Sequence, residues 1–311
     1  MPTPRRALTA TELLASLAAT TLLTSLAVAL LGSADDRNLA AKDADALRQI
    51  HQALTFHATD NENGHYAIPG LVDRGMDPRF RTHMPDRGPE DVTRNHSAAV
   101  YSILVVNHYV PVSTFVSPVE VNPWVRVKSD YDFTAYAPGR DSYWDPTFRM
   151  QIDRTDPGAH GSYAHRVLHG SRKTTEWTPT APPETGILVS RGPKDGTDRG
   201  SAYHDSPTLR FFPPARAWTG HLVTNDNRVA MVTIPAGDRA TATGGADDAL
   251  RVTNPFLEPP REDEQPHQCT GGKRVVMGVY CAMAPDGGLR LYDPATFDNA
   301  EDPPSTRPEQ P

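Results

Sequence analysis

Apolar and polar positions are spread very unevenly along this chain, and the unevenness begins near the N-terminus. Leu13 to Leu31 are 19 consecutive uncharged residues, eight of them Leu. As a helix rising about 1.5 Å per residue they span roughly 28 Å, close to the hydrocarbon core of about 30 Å. Arg5 and Arg6 precede the run, while Asp35 and Asp36 follow it. The positive side stays in the cytoplasm, so nearly the whole chain is expected on the far side of one membrane crossing. A secretory signal peptide is the competing reading, because Gly32-Ser33-Ala34 ahead of Asp35 fits a small-residue cleavage site.

The pattern changes after the run. Ala40, Ala44, Leu47, Ile50 and Leu54 recur at steps of three and four, with Asp43, Asp45, Arg48 and Gln49 placed on other, polar faces. That spacing predicts an amphipathic helix. No proline interrupts Arg5 to Ile68, although the chain holds 30. One helix from Leu8 to Thr59 is therefore expected, roughly 78 Å long at 1.5 Å per residue. Asp60-Asn61-Glu62-Asn63-Gly64 supplies its stop, since Asn and Gly accept the left-handed cap.

Downstream the prolines crowd, and strands and loops are expected instead of long helices. Tyr101 to Val110 is apolar at nearly every position, which fits either a short helix or a buried strand. Strand candidates follow at Gly186–Ser190, Gly220–Thr224, Arg228–Ile234, Arg274–Ala284 and Leu289–Tyr292. Thr224-Asn225-Asp226-Asn227 and Pro285-Asp286-Gly287-Gly288 read as hairpin turns between them. The fold class is α+β: a long N-terminal helix packed on an irregular antiparallel β domain. Its expected divisions, the first boundary of which is implied by the resemblance described below, are 1–7, a leader; 8–32, the membrane helix; 33–60, its amphipathic extension; and 61–257, the β-rich domain. A charged proline-rich loop at 258–267, a C-terminal hairpin at 268–293 and an unstructured tail at 294–311 complete the chain.

Chemistry-bearing residues narrow the picture by what they fail to form. Net charge is -7, and no long basic block occurs, which argues against a nucleic-acid partner. No phosphate loop, dinucleotide fingerprint, G-x-S-x-G or paired Cys-x-x-Cys is present, so no catalytic residue is assigned and no cofactor is expected. His165 and His169 have a zinc-like spacing, but no glutamate lies between them and flanking Gly161 and Gly170 favour a strand or loop. The oxygen-rich turn Asn225, Asp226, Asn227 is the one candidate calcium site. Cys269 and Cys281 suit a disulfide outside the cytoplasm, worth about 3 kcal/mol on the chain-entropy view, with two buried thiols as the alternative. Trp124, Tyr131, Tyr136, Tyr143, Trp144 and Tyr163 line either a ligand groove or, more commonly for such residues, the core.

Arg5-Arg6-Ala7-Leu8-Thr9-Ala10-Thr11-Glu12-Leu13-Leu14 resembles the prepilin-type cleavage and methylation segment, with Ala7 where that family carries Gly. The resemblance implies cleavage between Ala7 and Leu8 by a prepilin peptidase and an N-methylated Leu8. Glu12 becomes the assembly glutamate, whose carboxylate in an apolar setting neutralises the amino terminus of a neighbouring subunit. Leu47 to Leu54 with Asp60-Asn61, Gly64 and Tyr66 resembles a segment of planctomycete-type pseudopilins. Tyr101 to Ser117 resembles another, with Ser117 replacing a cysteine. The turn at Asp226 resembles the family's H-x9-D-G region, with Arg216 and Asn227 in place of His and Gly. A C-terminal disulfide loop is also a common pilin feature. The resemblance implies a non-enzymatic, pilin-like structural component of a type II secretion or type IV pilus-like assembly. It would sit in the inner membrane, among membrane lipid, other pseudopilins and inner-membrane secretion components. A membrane-anchored or secreted hydrolase or glycan-binding protein is the alternative.

Overall fold

A computed structural model describes the backbone of residues 10–61, 64–72, 75–77, 82–84, 89–140, 142–150, 158–193, 196–212, 217–236, 255–258, 269–270, 273–275, 277–278, 282–283 and 289–290, with most of the side chains from Asp35 onward. Ala7, Leu8, the side chains of Glu12 and of the run Leu13–Leu31, Cys281, the turn 285–288, residues 259–267 and the tail 294–311 lie outside the described residues. Among those described, no helix is long and apolar enough to cross a membrane.

The chain divides into two units, Met1–Lys42 and Asp43–Pro311. The first unit holds the beginning of helix α1 (Ala10–Asp60). The second is a mixed α+β unit. Its minor elements come first: β1 (Gly75–Asp77) pairs antiparallel with β2 (Thr82–Met84). Helix α2 (Ser97–Val106) follows, then β3 (Tyr163–Arg166), the short helix α3 (Gly170–Thr175), β4 (Gly186–Ser190), one turn of helix α4 (Ser201–His204), β5 (Trp218–Thr224) and β6 (Val229–Ile234). Six short strands close the order: β7 (Leu257–Glu258), β8 (Cys269–Thr270), β9 (Lys273–Val275), β10 (Met277–Gly278), β11 (Ala282–Met283) and β12 (Leu289–Arg290).

Strands β3 to β6 make an antiparallel meander, and β10 adds to its β3 edge to give a five-stranded sheet. Met277–Gly278 thus joins the central sheet, and β7, β8 and β9 pair separately. The β5–β6 turn forms where Asn-Asp-Asn predicts it. Asn227 takes the positive φ of 63° that closes a three-residue hairpin loop, and its N–H donates to Thr224 O at 2.8 Å. Asp226 Oδ1 accepts the Thr224 hydroxyl and the Arg228 N–H, so the turn is braced by its own side chain.

Tyr101–Val106, which pattern alone leaves between helix and strand, is helical. His96 Nδ1 accepts the Ala99 N–H at the start of α2, and His108 turns to a φ of 58° just beyond its end. Every residue from Ser97 to Val105 is buried, which explains the missing amphipathic signal: a helix sealed on all faces has no polar stripe to read.

Within the second unit, Leu47, Ile50, Ala53, Leu54 and Ala58 of α1 enter the same core as Tyr101, Leu104, Tyr163, Leu188, Trp177 and Trp218. The aromatic polar atoms in this core are satisfied. Trp177 Nε1 donates to Ala67 O at 2.9 Å, Trp218 Nε1 to Arg191 O at 3.0 Å, and Tyr101 OH to Tyr163 O at 2.8 Å. Gly220 allows the tight packing of β5 on β4: a Cβ there would lie 2.6 Å from the Trp218 ring and 3.0 Å from Ser190 Cβ.

Candidate functional site

Asp43, placed by the helical spacing on a face other than the apolar stripe, is buried. Its relative exposure is 0%, and its carboxylate is the meeting point of α1 with three strands. Oδ1 accepts the hydroxyls of Ser117 and, at 2.8 Å, of Tyr163 on β3. Oδ2 accepts His221 Nδ1–H from β5 at 2.6 Å and the Ser190 hydroxyl from β4 at 3.3 Å. A lone buried carboxylate is costly, and one surrounded by four donors is not. The helical spacing misplaced Asp43 because its partners lie 74 to 178 positions away in the chain.

Serine, histidine and aspartate meet here without the relation that nucleophilic catalysis needs. Ser190 Oγ accepts the backbone N–H of His221 at 3.0 Å and otherwise faces the carboxylate and a carbonyl; Ser117 Oγ also faces the carboxylate. Neither hydroxyl is bonded to the imidazole, which in a triad must take the serine proton. The cluster can anchor a helix to a sheet. A second buried pair lies beside it: Arg191, directly after Ser190, gives a two-point ion pair to Glu120, with Nε–Oε2 at 2.8 Å. Burial pushes the Glu120 carboxyl up, but the Arg191 guanidinium outweighs that effect and holds it below the usual carboxylate range.

Three histidines are kept neutral by burial. His57, His96 and His165 are each pushed down to about 4, burial being the main cause in every case. The contacts of His165 and His96 require the neutral ring. His165 Nδ1–H donates to Arg166 O at 2.7 Å, which leaves Nε2 to accept the Ser97 hydroxyl at 2.8 Å, while His96 Nδ1 caps α2. Unfolding returns each ring toward its ordinary value near 6.5, so between about pH 6.5 and 4 the unfolded chain binds more protons than the native one. Native stability therefore falls as pH drops through that window, by about 1.4 kcal/mol per pH unit for each such ring. Thermal melts from pH 7.5 to 4.5 are expected to show this loss, and His165→Gln, which keeps a donor and an acceptor, is expected to flatten it by about one proton's share. A pH-independent melting point would count against the neutral-ring assignment.

The turn proposed for calcium is also tied to the helix. Tyr66 OH donates to Asn225 Oδ1 at 2.6 Å, and His51 on α1 bridges Tyr66 OH and Asn227 Oδ1, each at 3.1 Å. Asn225 Nδ2 reaches the carbonyls of Pro179 and Ala181. The side-chain oxygens at 225, 226 and 227 thus each meet a protein group. His165 lies in β3 facing Ser97, and His169 precedes α3, so the pair does not share a helix face. Among the described residues no group of three or more His, Cys, Asp or Glu side chains converges. Cys269 lies in β8, and its proposed partner Cys281 is outside the described residues.

A pocket of about 400 Å³ opens at the C-terminal end of α1. It is lined by Tyr109, Tyr136, Tyr143 and Trp144, by the apolar Ile68, Leu71 and Ile103, and by the polar Asp60, Asn61, His65 and Asn107. Of the six aromatics grouped in the sequence, three line it, while Tyr131 and Tyr163 belong to the core. Asp60 and Asn61, legible only as a helix stop, are the part that sequence reasoning missed. They enter because that stop brings α1 beside the end of α2, where Tyr109 OH donates to Asp60 Oδ2. The signal was local, but its significance depended on a neighbour 49 residues away.

No family model matches this chain, and neither the curated proteins nor the solved structures contain a match to it.

Proposed function

We propose that this protein is a pseudopilin-like structural component of a type II secretion or type IV pilus-like assembly. It is cleaved before Leu8 by a prepilin peptidase and held in the inner membrane by residues 8–32. It polymerises with other pseudopilins through Glu12, and its β-rich part faces the extracytoplasmic side. The observation that carries this reading is the role of Asp43–Asp60. This end of a proline-free N-terminal helix serves as the spine of an antiparallel sheet, and β3, β4 and β5 each direct a side chain to Asp43. A chain whose sheet is fastened to such a helix can transmit the packing of its N-terminal helices to an external domain, which a filament subunit requires. The prepilin-like pattern at Arg5 to Leu14 supports the same reading.

Glu12→Ala tests it without touching the folded unit. Loss of the carboxylate leaves a neighbour's amino terminus unpaired in an apolar setting. Site-specific cross-linking between membrane-embedded copies is expected to fall to background in Glu12→Ala and to persist in Glu12→Asp. Equal cross-linking in Glu12→Ala and the unaltered chain would remove assembly through Glu12 from the account.

A further inference from the structure

The five-stranded sheet ends on one side at β6, and that edge is open. Thr224 N–H donates to Arg228 O at 3.0 Å, which sets the phase of the β5–β6 ladder. With Leu222 opposite Ala230 and Gly220 opposite Val232, the alternation of an antiparallel pair turns the N–H and C=O of Ala230 and Val232 toward β5 and those of Val229, Met231 and Thr233 outward. Tyr203 OH marks the same phase at the far end, where it accepts Trp218 N–H at 2.8 Å and donates to Ile234 O. Among the described residues β6 pairs with β5 alone, so the outward groups meet no strand. Natural edges are ordinarily blunted by charge, proline, a bulge or short length. From Val229 to Ile234 there is no charged residue and no proline, the register with β5 is unbroken, and Met231 is 52% exposed. The opposite edge is guarded, because β10 is only Met277 and Gly278, both buried.

A row of outward N–H and C=O groups at alternate residues is complementary to one thing, another extended backbone. A second copy of this chain does not fit. Antiparallel pairing of β6 with itself needs a two-fold axis perpendicular to the sheet. Asp43 lies beside His221 and His51 beside Asn227, so α1 runs along β5, and that axis would reverse α1 in the second copy. Copies held in one membrane by the chain ahead of Asp43 cannot enter their folded units from opposite directions, a step that rests on the anchoring proposed above. Head-to-tail joining of sheets would need the β10 edge, which is short and buried. We propose that β6 docks an extended segment of a different polypeptide as a sixth strand, through the backbone of Val229, Met231 and Thr233. That segment is free of proline and charge where it faces these residues, because its N–H groups must complete the ladder and its side chains lie beside Met231 and Thr233.

The test uses the full chain in a polyoxyethylene detergent and a fluorescein-labelled probe peptide, Lys-Thr-Val-Thr-Val-Thr-Lys, with a second probe N-methylated at both valines. Fluorescence anisotropy is expected to show saturable binding of the first probe and none of the second. Amide hydrogen exchange at Val229, Met231 and Thr233 is expected to slow at least about tenfold when the first probe binds. Met231→Pro removes an outward N–H and no bond to β5, a change that edge strands tolerate, and is expected to weaken binding at least about tenfold with the melting point retained. Met231→Lys places a charge on the edge at an exposed position and serves the same purpose if the proline disturbs the fold. No binding of the first probe, equal binding of the N-methylated probe, or binding unchanged in both variants overturns the proposal. Slow exchange at these amides without peptide also overturns it: protection lost on dilution would assign the edge to a second copy, and protection that persists would assign it to the chain's own residues. Cross-linking in Glu12→Ala reads none of these groups, so the edge and the filament proposals fail separately.

Discussion

Replacing Asp43 with alanine is expected to cost the folded unit about 3–5 kcal/mol, the usual penalty for breaking a buried charged network by removing one partner. At roughly 2–4 °C per kcal/mol for a domain of about 150–250 residues, the thermal midpoint falls by about 6–20 °C. The loss is large because Asp43 is not a surface member of an amphipathic helix. Removing its carboxylate leaves the Tyr163 and Ser117 hydroxyls and His221 Nδ1 buried without their acceptor. Helix propensity works in the opposite direction, since Ala favours the helix by under about 1 kcal/mol relative to Asp, and it does not close the gap. Asp43→Asn is expected to fall between the two, because its amide oxygen can accept only part of what two carboxylate oxygens accept. A double-mutant cycle with His221→Phe isolates the pair. Coupling within experimental error of zero between Asp43 and His221 would show that the imidazole adds nothing to the anchor beyond the hydroxyls of Ser117, Tyr163 and Ser190.

Arg191→Met has the second largest expected effect, and its sign depends on pH. In the unaltered chain Glu120 titrates below its ordinary value, so its contribution is present above the unfolded carboxylate pKa and is lost as pH falls through the folded one. In Arg191→Met the guanidinium is gone, and burial, the largest influence on this carboxyl, is opposed chiefly by the Asn122 N–H that Oε1 accepts at 2.8 Å, so the carboxyl is expected to rise above its value in the unaltered chain. The variant is then penalised most near neutral pH, by about 3–5 kcal/mol. The penalty shrinks as acid protonates Glu120 and removes the unpaired charge. Denaturant melts of both chains at pH 7 and near pH 4.5 read this directly: the stability gap is expected to narrow on acidification. A gap that stays constant or widens would mean that Arg191 matters through packing on Phe211, 5.0 Å from its guanidinium, more than through Glu120.

How much of this was legible in the sequence depended on whether the deciding interaction was local. The helix end at Asp60-Asn61 and the hairpin turn at Asn225–Asn227 follow from near-neighbour backbone preferences, and both stand where those preferences put them. The stripe of Leu47, Ile50 and Leu54 was equally legible, since burial at steps of three and four needs no knowledge of the partner. Asp43 was misplaced because charge ordinarily marks the solvent face. Only the sheet, assembled from residues 163, 190 and 221, supplies the donors that reverse that rule. Helix α2 was ambiguous because an element buried on every face carries no period. The pocket was invisible as a unit. Its walls come from α1, α2 and the loop around Trp144, and no spacing rule connects residue 60 to residue 144.

N-terminal mass spectrometry of the chain recovered from the membrane fraction tests the central claim most directly. The pseudopilin reading predicts a mature protein that begins at Leu8 with a methylated amino group. A mature chain that begins at Asp35 would contradict it, because Glu12 and the apolar helix would then have been removed with a signal peptide.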